Sequence, residues 1–292
     1  MSAPTPTISF EFFPPRTPAA SVALWETVQR LAPLGPEFVS VTYGAGGTTR
    51  DRTLSAILAI RDRAGLDVAG HLTCVSASRD EVLKVAKNYG RLGCKRIVAL
   101  RGDPPGGAGT FEQHADGFAN SVELVEALGR LGQFEIWVGA YPEKHPEARS
   151  HDDDVEYLKR KLDAGATGAI TQFFFENETF YRFRDACAKA GIDAPIVPGI
   201  FPVENFDRMT RFAEGCGATV PDWMWAAYDR ADTRAEEELL SVAICAEQCD
   251  DLRSNGVGHI HLYTLNKPDL PIKVCGALGI EPQQPRAAAG GL

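Results

Sequence analysis

The sequence has few of the features that mark secreted, membrane or disulfide-stabilised proteins. Its seven cysteines are an odd number at irregular spacing, and no Cys-x-x-Cys pair occurs. Neither a disulfide framework nor a zinc site is indicated, so we expect reduced thiols in a cytoplasmic protein. Residues 1–7 show no basic segment followed by an apolar run, so no secretory signal is predicted. No apolar run reaches the roughly 18 residues that a membrane span needs.

Positive charge is also scarce. The net charge of −9 argues against a general nucleic-acid binder, which would present a basic face. It leaves room for a local basic pocket that binds a phosphorylated ligand. The 292 residues exceed the usual domain length, but α/β barrels of about 250 residues form one domain. A core of that size needs neither disulfides nor a metal ion for stability, and no metal site is predicted.

Short apolar segments alternate with longer helical segments from Ile8 onward. The predicted strands are Ile8–Phe13, Phe38–Tyr43, Val68–Cys74, Arg96–Arg101, Phe134–Tyr141, Ala169–Phe175, Ile196–Ile200 and His259–Thr264. The predicted helices are Ala19–Leu31, Thr49–Asp62, Arg79–Leu92, Gly117–Leu131, Asp152–Ala164, Asn177–Ala190, Glu204–Phe212, Thr233–Ser254 and Pro268–Leu278. Ser78 is a predicted N-cap, and Gly191 is expected just past a helix end.

Eight strands alternating with helices predict an α/β fold, a TIM (β/α)8 barrel. The competing fold is an open doubly wound sheet, but the Gly-x-Gly-x-x-Gly of dinucleotide-binding folds is missing after the first strand. Gly215–Ala231 is an extra helical element before the last strand. No internal linker is evident, so residues 1–281 are predicted to form a single catalytic barrel. The Pro-, Gln-, Ala- and Gly-containing residues 282–292 are expected to be a disordered tail.

A carboxylate lies near the end of the first apolar strand. Glu11 shares a strand face with Ser9, whereas Phe10 and Phe12 share the other face. Burial of a carboxylate without partners raises its pKa, and a protonated carboxyl group can act as a general acid. A Glu paired with a buried Arg to hold the strand in place is an equally good interpretation. The strand alone leaves both interpretations open.

Polar residues recur at the ends of the predicted strands. Barrels place their sites at these carboxyl ends, so the polar strand ends favour a ligand site there. The residues concerned are Glu11, Thr42, His71, Thr73, Arg101, Asp103, Tyr141, Gln172, Tyr263 and Thr264. The Gly-rich segment Gly44–Thr49 precedes a helix and could bind an anion, although glycines are common in such turns. The long loop 101–109 is expected to fold against a large ligand or to be simply flexible.

Three further sets of residues allow two interpretations each. Asp154, Arg160 and Lys161 lie on one helix, where a solvated face with ion pairs is favoured over a pyrophosphate site. The Gln172 amide interrupts an apolar strand and could bond the backbone or the edge of a heteroaromatic ligand. His259 and His261 share a strand face without a third ligand, so packing is expected for them.

Several long motifs together resemble one family. They are ISFEFFPPR at 8–16, FVSVTYGA at 38–45, HLTC at 71–74, IVALRGD at 97–103, AYPEKHPEA at 140–148, ITQFFF at 170–175 and LYTLN at 262–266. In this order they resemble methylenetetrahydrofolate reductase, over nearly the whole chain from Ile8 to about Gly279. The resemblance implies a TIM barrel that binds FAD. Such a barrel would use NAD(P)H to reduce 5,10-methylenetetrahydrofolate to 5-methyltetrahydrofolate, with the two substrates taking turns.

The resemblance also implies residue roles. Glu11 matches the family's general acid. The positions matching FAD contacts are Thr42, Tyr43, Ala45, His71, Arg101, Gly102, Asp103, Ala115, Tyr141, His145, Ala148, Asp154, Tyr157, Arg160 and Lys161. The positions matching substrate contacts are Glu11, Thr42, Asp103, Gln172, Arg208, Phe212 and Lys267. The resemblance thus favours a cofactor role for Arg160 and Lys161 over a solvated face.

Three of these positions depart from the family pattern. Tyr157 replaces an Asn, Arg208 stands where some relatives have Gln, and Lys267 stands where some have Arg. The contacts with the cofactor and with the glutamate tail are therefore expected to differ. A folate-binding methyltransferase barrel without flavin is the alternative function, and a non-catalytic folate-binding protein is a third. The sequence does not choose between NADH and NADPH. A homo-oligomer is expected by analogy with relatives.

Overall fold

A computed structural model describes residues 4–44, 49–103 and 111–283. Its strands form one parallel sheet in the order β7-β6-β5-β4-β3-β2-β1-β9-β8. They are β1 (Thr7–Phe12), β2 (Phe38–Val41), β3 (Val68–Thr73), β4 (Arg96–Leu100), β5 (Glu135–Ala140), β6 (Gly168–Thr171), β7 (Ile196–Val197), β8 (Gly199–Ile200) and β9 (His259–Tyr263).

The sheet closes on itself at Pro198. This residue alone separates β7, which pairs with β6, from β8, which pairs with β9. A proline has no N–H for the ladder, so it divides the seventh barrel strand into two short pieces. Its carbonyl still accepts a hydrogen bond from the His261 N–H at 3.0 Å. The closed arrangement confirms the TIM-type barrel and excludes the open sheet.

Helices surround the barrel. They are α1 (Pro18–Leu31), α2 (Arg50–Ala64), α3 (Arg79–Arg91), α4 (Ser121–Gly129), α5 (His151–Asp163), α6 (Asn177–Lys189), α7 (Phe206–Cys216), α8 (Asp222–Tyr228), α9 (Arg234–Ser254) and α10 (Asp269–Ala277). The predicted N-cap is confirmed, since Ser78 forms a capping box with Glu81. Gly191 follows α6 with φ of 74°, as predicted for a residue past a helix end. In the described segments, no helix combines the length and the apolar character needed to cross a bilayer.

Two apolar layers hold the barrel together. The larger layer lies between the outer face of the strands and the helices, and it includes the fully buried Phe10 and Phe12. Inside the barrel, the rings of Phe38 and Trp137 pack at 5.8 Å with Val98 and Ile170. The inner side chains fill the barrel, so any ligand must bind at its end.

The sixth strand is shorter than predicted. It ends at Thr171, and Phe173 and Phe175 leave the ladder to pack in an aromatic cluster with Phe201. A continuous apolar run does not show by its period where pairing stops, and here the run continues into a core beyond the strand. Helix α7 also begins and ends later than predicted, at Phe206 and Cys216. The extra element before the last strand is α8, within the predicted Gly215–Ala231.

Candidate active site

Glu11 lies inside the barrel near its mouth, the end at which the carboxyl ends of the strands meet. Its side chain is 13% exposed. The carboxylate oxygen Oε2 is 3.3 Å from Nε2 of His71 on β3 and 3.8 Å from Nε2 of His261 on β9. Parallel pairing places Glu11 beside Ser40 on β2 and Tyr263 on β9. Glu11 therefore faces two buried imidazoles.

Two histidines determine the direction of the Glu11 pKa shift. Burial raises the pKa of this carboxyl, but the charge and hydrogen-bonding capacity of His71 and His261 outweigh burial and hold the pKa at about 2. Of the two interpretations that the strand left open, the paired carboxylate is the one found, with His71 and His261 as partners in place of the expected arginine. Burial lowers the pKa of His261, which lies fully enclosed beside Glu11.

A cavity of about 320 Å³ opens at the barrel mouth, and we call it the mouth cavity. The predicted site residues that line it are Glu11, Thr42, Tyr43, His71, Gly102, Asp103, Tyr141, Gln172 and Phe212. Phe173, Phe201 and Tyr263 line it as well. Phe173 was assigned only to an apolar strand and Phe201 to no element, because a sequence does not show which aromatic rings face a cavity. The mouth cavity thus joins an ionisable cluster to an aromatic wall.

A second cavity of about 650 Å³ adjoins the first, and we call it the side cavity. The predicted site residues that line it are Arg101, Gly102, Asp103, Tyr141, His145, Ala148, Asp154, Tyr157, Arg160 and Lys161. Gly102, Asp103 and Tyr141 line both cavities. An elongated ligand can therefore lie across the strand ends with one part in each cavity.

Lys161 on α5 is a buried cation in the wall of the side cavity. Its ammonium donates a hydrogen bond to the Gly139 carbonyl at 2.5 Å, and burial lowers its pKa to about 8. Asp154 accepts a hydrogen bond from the His145 N–H at 2.8 Å, which ties the loop after β5 to α5. The interpretation of this helix face as solvated is wrong for Lys161, while Arg160 is exposed and lines the cavity.

Arg101 has a partner that sequence reasoning missed. Its guanidinium pairs with both carboxylate oxygens of Glu147, one of them at 3.0 Å. This pair raises the pKa of Arg101 and lowers that of Glu147. The Tyr141 and His145 rings meet edge to face at 4.5 Å beside it. The only available signal was the position of Glu147 in the loop after β5.

Tyr157 occupies the position that departs from the family pattern. Its hydroxyl is 3.0 Å from Ser121 Oγ. The Arg160 guanidinium and the Lys161 ammonium lie 5.6 Å and 5.1 Å from the ring centre. The aromatic face therefore gathers the two cations at one side of the cavity.

Among the described residues, three predicted site residues lie outside the lining of the two cavities. Ala115, Arg208 and Lys267 are exposed. Lys267 pairs with Glu204 at 3.2 Å, and Arg208 is one turn before Phe212 on α7, on the same helix face. Ala45 lies outside the described residues, as do most of the Gly-rich segment Gly44–Thr49 and most of the loop 101–109.

His259 and His261 pack as predicted but do more than pack. Phe38 stacks on both rings at 5.7 Å and 5.9 Å. Each imidazole also hydrogen-bonds Ser9 Oγ, at 2.8 Å and 2.7 Å respectively. The contact with Glu11 adds His261 to the ionisable cluster. The sequence placed both rings on one strand face without showing what that face meets.

The fold and the site define a (β/α)8-barrel protein of the enzyme type, with ionisable side chains and two cavities at the carboxyl ends of its strands. The family model for methylenetetrahydrofolate reductase matches residues 1–279. The chain belongs to this family of oxidoreductases.

Similar proteins support the assignment. The 5,10-methylenetetrahydrofolate reductases of Salmonella typhimurium and Escherichia coli are 46% and 47% identical over 276 residues, which cover 94% of this chain and 91% of each relative. A Clostridium thermocellum protein, described as binding two copies of 5-methyl-5,6,7,8-tetrahydrofolic acid, matches with a TM-score of 0.60 at 16% identity. That match covers 94% of this chain and 95% of the other, and at such low identity it shows the fold alone.

Proposed function

We propose that this protein reduces 5,10-methylenetetrahydrofolate to 5-methyltetrahydrofolate with NAD(P)H as electron donor, and that its cofactor is FAD. The two substrates would occupy the mouth cavity in turn, in a ping-pong sequence. Membership of the family supports the reaction. The observation that carries the site assignment is Glu11, a carboxylate in contact with two imidazoles at the wall of the mouth cavity.

The residues of the two cavities fit FAD. The side cavity gathers Arg101, Arg160 and the buried Lys161, which together suit a pyrophosphate. The mouth cavity offers a flat aromatic wall and polar strand ends to a heteroaromatic ring system. Bound FAD would supply hydride acceptance and donation. The chain's own residues bind it, orient it and hold the carboxyl group beside the folate.

Glu11 would deliver a proton to the folate amine nitrogen that departs when the methylene bridge opens. In the free site its pKa of about 2 leaves it ionised near neutral pH. A folate ring in the mouth cavity would remove the remaining water from the carboxylate, and desolvation raises a carboxyl pKa. Substrate binding thus favours movement of a proton onto Glu11 when it is needed.

Asp103 and Gln172 would orient the pterin. Both line the mouth cavity, and a carboxylate and an amide can bond the amino and carbonyl groups of the pterin edge. The exposed Phe212 at the rim offers a ring for stacking, and its own ring stacks on Phe173 at 5.6 Å. The exposed cations Lys267 and Arg208 would meet the glutamate tail of the folate outside the cavity.

Replacement of Glu11 by Gln tests this function. The variant should bind FAD and oxidise NADH normally, because the electron-donor step needs no general acid. Reduction of methylenetetrahydrofolate should fall by about 10²–10⁴-fold, the usual contribution of a general acid. Anaerobic stopped-flow measurement of flavin absorbance separates the two half-reactions. The matched control is Glu126→Gln, at a carboxylate exposed on α4.

Near-normal folate reduction by the Glu11→Gln protein would refute the acid assignment. A purified protein that stays colourless and cannot be loaded with FAD would instead favour the flavin-free methyltransferase barrel. The cations of the side cavity argue against that alternative, because a folate held at the mouth would leave Lys161 buried without an anionic ligand. The same instrument, with NADH and NADPH compared, decides the electron donor.

A further inference from the structure

A chain of polar side chains runs from Glu11 to the opposite end of the barrel, which we call the floor. His261 Nδ1 is 2.7 Å from Ser9 Oγ, and Ser9 Oγ is 2.8 Å from His259 Nε2. His259 Nδ1 is in turn 3.0 Å from a carboxylate oxygen of Glu37. Together with the 3.8 Å contact between His261 and Glu11, these bonds connect the mouth to the floor.

The strand register builds this chain. Parallel pairing of β1 with β9 sets Thr7 beside His259 and Ser9 beside His261. Residues two apart on a strand share a face, so both imidazoles and the serine point into the barrel. Ser9 and His261 are fully buried. Phe38 stacks on both imidazoles and shields the chain from the rest of the interior.

The floor end of the chain reaches solvent. The Glu37 side chain is 46% exposed. Thr7 Oγ1 lies 2.8 Å from His259 Nδ1 and is exposed as well. Charged groups around this end include Arg96, which is 3.9 Å from Glu37 and pairs with Asp67 at 2.7 Å. Protons can therefore enter the chain from water at the floor while a ligand covers the mouth.

Each member of the chain can pass a proton. A neutral imidazole carries one proton and has one bare nitrogen, so it can accept at one nitrogen and donate from the other. A serine hydroxyl can likewise donate its proton and accept another. Three links of the chain are hydrogen bonds. The fourth link, from His261 Nε2 to Glu11 Oε2, is a 3.8 Å contact that is too long for a hydrogen bond and must shorten for a proton to cross. Once it does, every hydrogen shift is matched by the next, which is what a proton relay requires.

We propose that Glu11 receives its catalytic proton through this chain from the barrel floor. The proposal rests on the proposed reductase function. His261 Nε2 gives a proton to Glu11, Ser9 replaces it at Nδ1, and His259 Nε2 replaces the proton of Ser9. Water or Glu37 supplies His259 Nδ1. Each atom loses one bond to hydrogen and gains one, and no electrons are exchanged.

The relay resets when product leaves. Glu11 gives its proton to the folate nitrogen and is again a carboxylate. With the mouth open, a proton from water enters at Glu11, the shifts run in the opposite direction, and one proton leaves at Glu37. Both imidazoles then return to their starting tautomers. One proton is taken up per turnover, as the reduction of the methylene bridge requires.

Three variants test the relay. Ser9→Ala breaks it between the two imidazoles. His259→Gln breaks it at the floor, where the side chain touches neither Glu11 nor the mouth cavity. Ser40→Ala is the control, since Ser40 is an equally buried serine on the neighbouring strand and forms no hydrogen bond with the described residues. Each FAD-loaded protein is first reduced by NADH and then mixed anaerobically with methylenetetrahydrofolate, in mixtures of H₂O and D₂O.

Both relay variants should reoxidise the flavin with methylenetetrahydrofolate more slowly than the wild type, by roughly tenfold or more. Reduction by NADH should be unchanged, which also reports correct folding and flavin content. The dependence of the rate on deuterium fraction should be curved in the wild type and in Ser40→Ala, because several protons move together. It should become linear in Ser9→Ala and His259→Gln.

Folate half-reaction rates within twofold of wild type in Ser9→Ala would overturn the relay. If the folate half-reaction is slow in Ser9→Ala but proceeds at the wild-type rate in His259→Gln, the path to the floor is overturned. Ser9 would then only hold the His261 ring in position. These outcomes differ from failure of the proposed function. In that case the NADH-reduced wild-type protein itself would not be reoxidised by methylenetetrahydrofolate.

Discussion

At the scale of single residues, Lys161 shows what a buried cation costs. The folded protein releases its proton near pH 8, whereas an unfolded lysine holds it to about pH 10.5. Between these values the unfolded chain binds more protons, so stability rises with pH. Below pH 8 both states are protonated, and the folded protein carries a cost on the order of 3 kcal/mol. An anionic ligand in the side cavity would offset that cost.

Lys161→Met should remove this dependence on pH. The free energy of unfolding of the wild type, relative to the variant, should rise by on the order of 3 kcal/mol between pH 7 and pH 10.5. Urea titration at several pH values measures the difference. Lys159→Met is the matched control, because this lysine lies on the exposed side of α5 and pairs with Asp163. A flat or falling difference for Lys161→Met would contradict the assignment of a buried ammonium.

At the scale of elements, the loop after β9 holds the end of β1 and thereby positions Glu11. Asn266 donates through Nδ2 to the Phe13 carbonyl at 2.9 Å, and its Oδ1 accepts from the Phe13 N–H at 2.8 Å. Thr264 donates through Oγ1 to the Glu11 carbonyl at 2.6 Å. Leu265 and Asn266 have φ of 50° and 58°, left-handed values at which most side chains are strained. Such strain is common beside functional sites.

Asn266→Ala should lose both bonds to β1 and also strain the loop. We expect a loss of about 2 kcal/mol from the two hydrogen bonds and about 1 kcal/mol more from an Ala in the left-handed region. Asn266→Gly should lose only the contribution of the two hydrogen bonds, since glycine adopts this left-handed backbone freely. Urea midpoints of the two variants separate the contributions. Equal stability of the Ala and Gly variants would show that backbone strain is not part of the effect.

At the scale of the whole molecule, the two cavities predict that FAD stabilises the folded protein through both its flavin half and its adenosine half. A ligand at 100 times its dissociation constant stabilises the folded state by about 2.7 kcal/mol. FAD should therefore raise the melting temperature of the protein freed of cofactor, measured by scanning calorimetry. FMN lacks the adenosine half, would leave part of the side cavity unfilled, and should raise it less at equal concentration. An equal rise in melting temperature with FMN would show that the side cavity takes no part in binding the cofactor.

The alternation of strands and helices was sufficient to predict the barrel, because apolar periodicity and turn residues are local properties. Contacts across the barrel were not predictable in this way. Ser9 and His261 are 252 positions apart, and only the register of β1 with β9 brings them to 2.7 Å. The choice between an unpartnered and a paired Glu11 stayed open in the sequence for the same reason, since its partners His71 and His261 lie on other strands.

Burial was equally hidden from local patterns. The spacing of Asp154 and Lys161 correctly placed them on one helix face, but it did not reveal that this face meets the barrel. The apolar run Ala169–Phe175 looked like one strand although its second half belongs to an aromatic cluster. Residue type and spacing predict which side chains share a face of a helix or strand. The packing partners of that face decide whether its side chains are buried or solvated.

The break at Pro198 has a mechanical consequence. Strands β7 and β8 contribute only two paired residues each to the neighbours on either side. Among the described strands, the barrel therefore has its fewest paired residues at this junction. We expect thermal breathing to concentrate there. Strands β7 and β8 would then move first when a large planar ligand enters or leaves, while the other strands keep their positions.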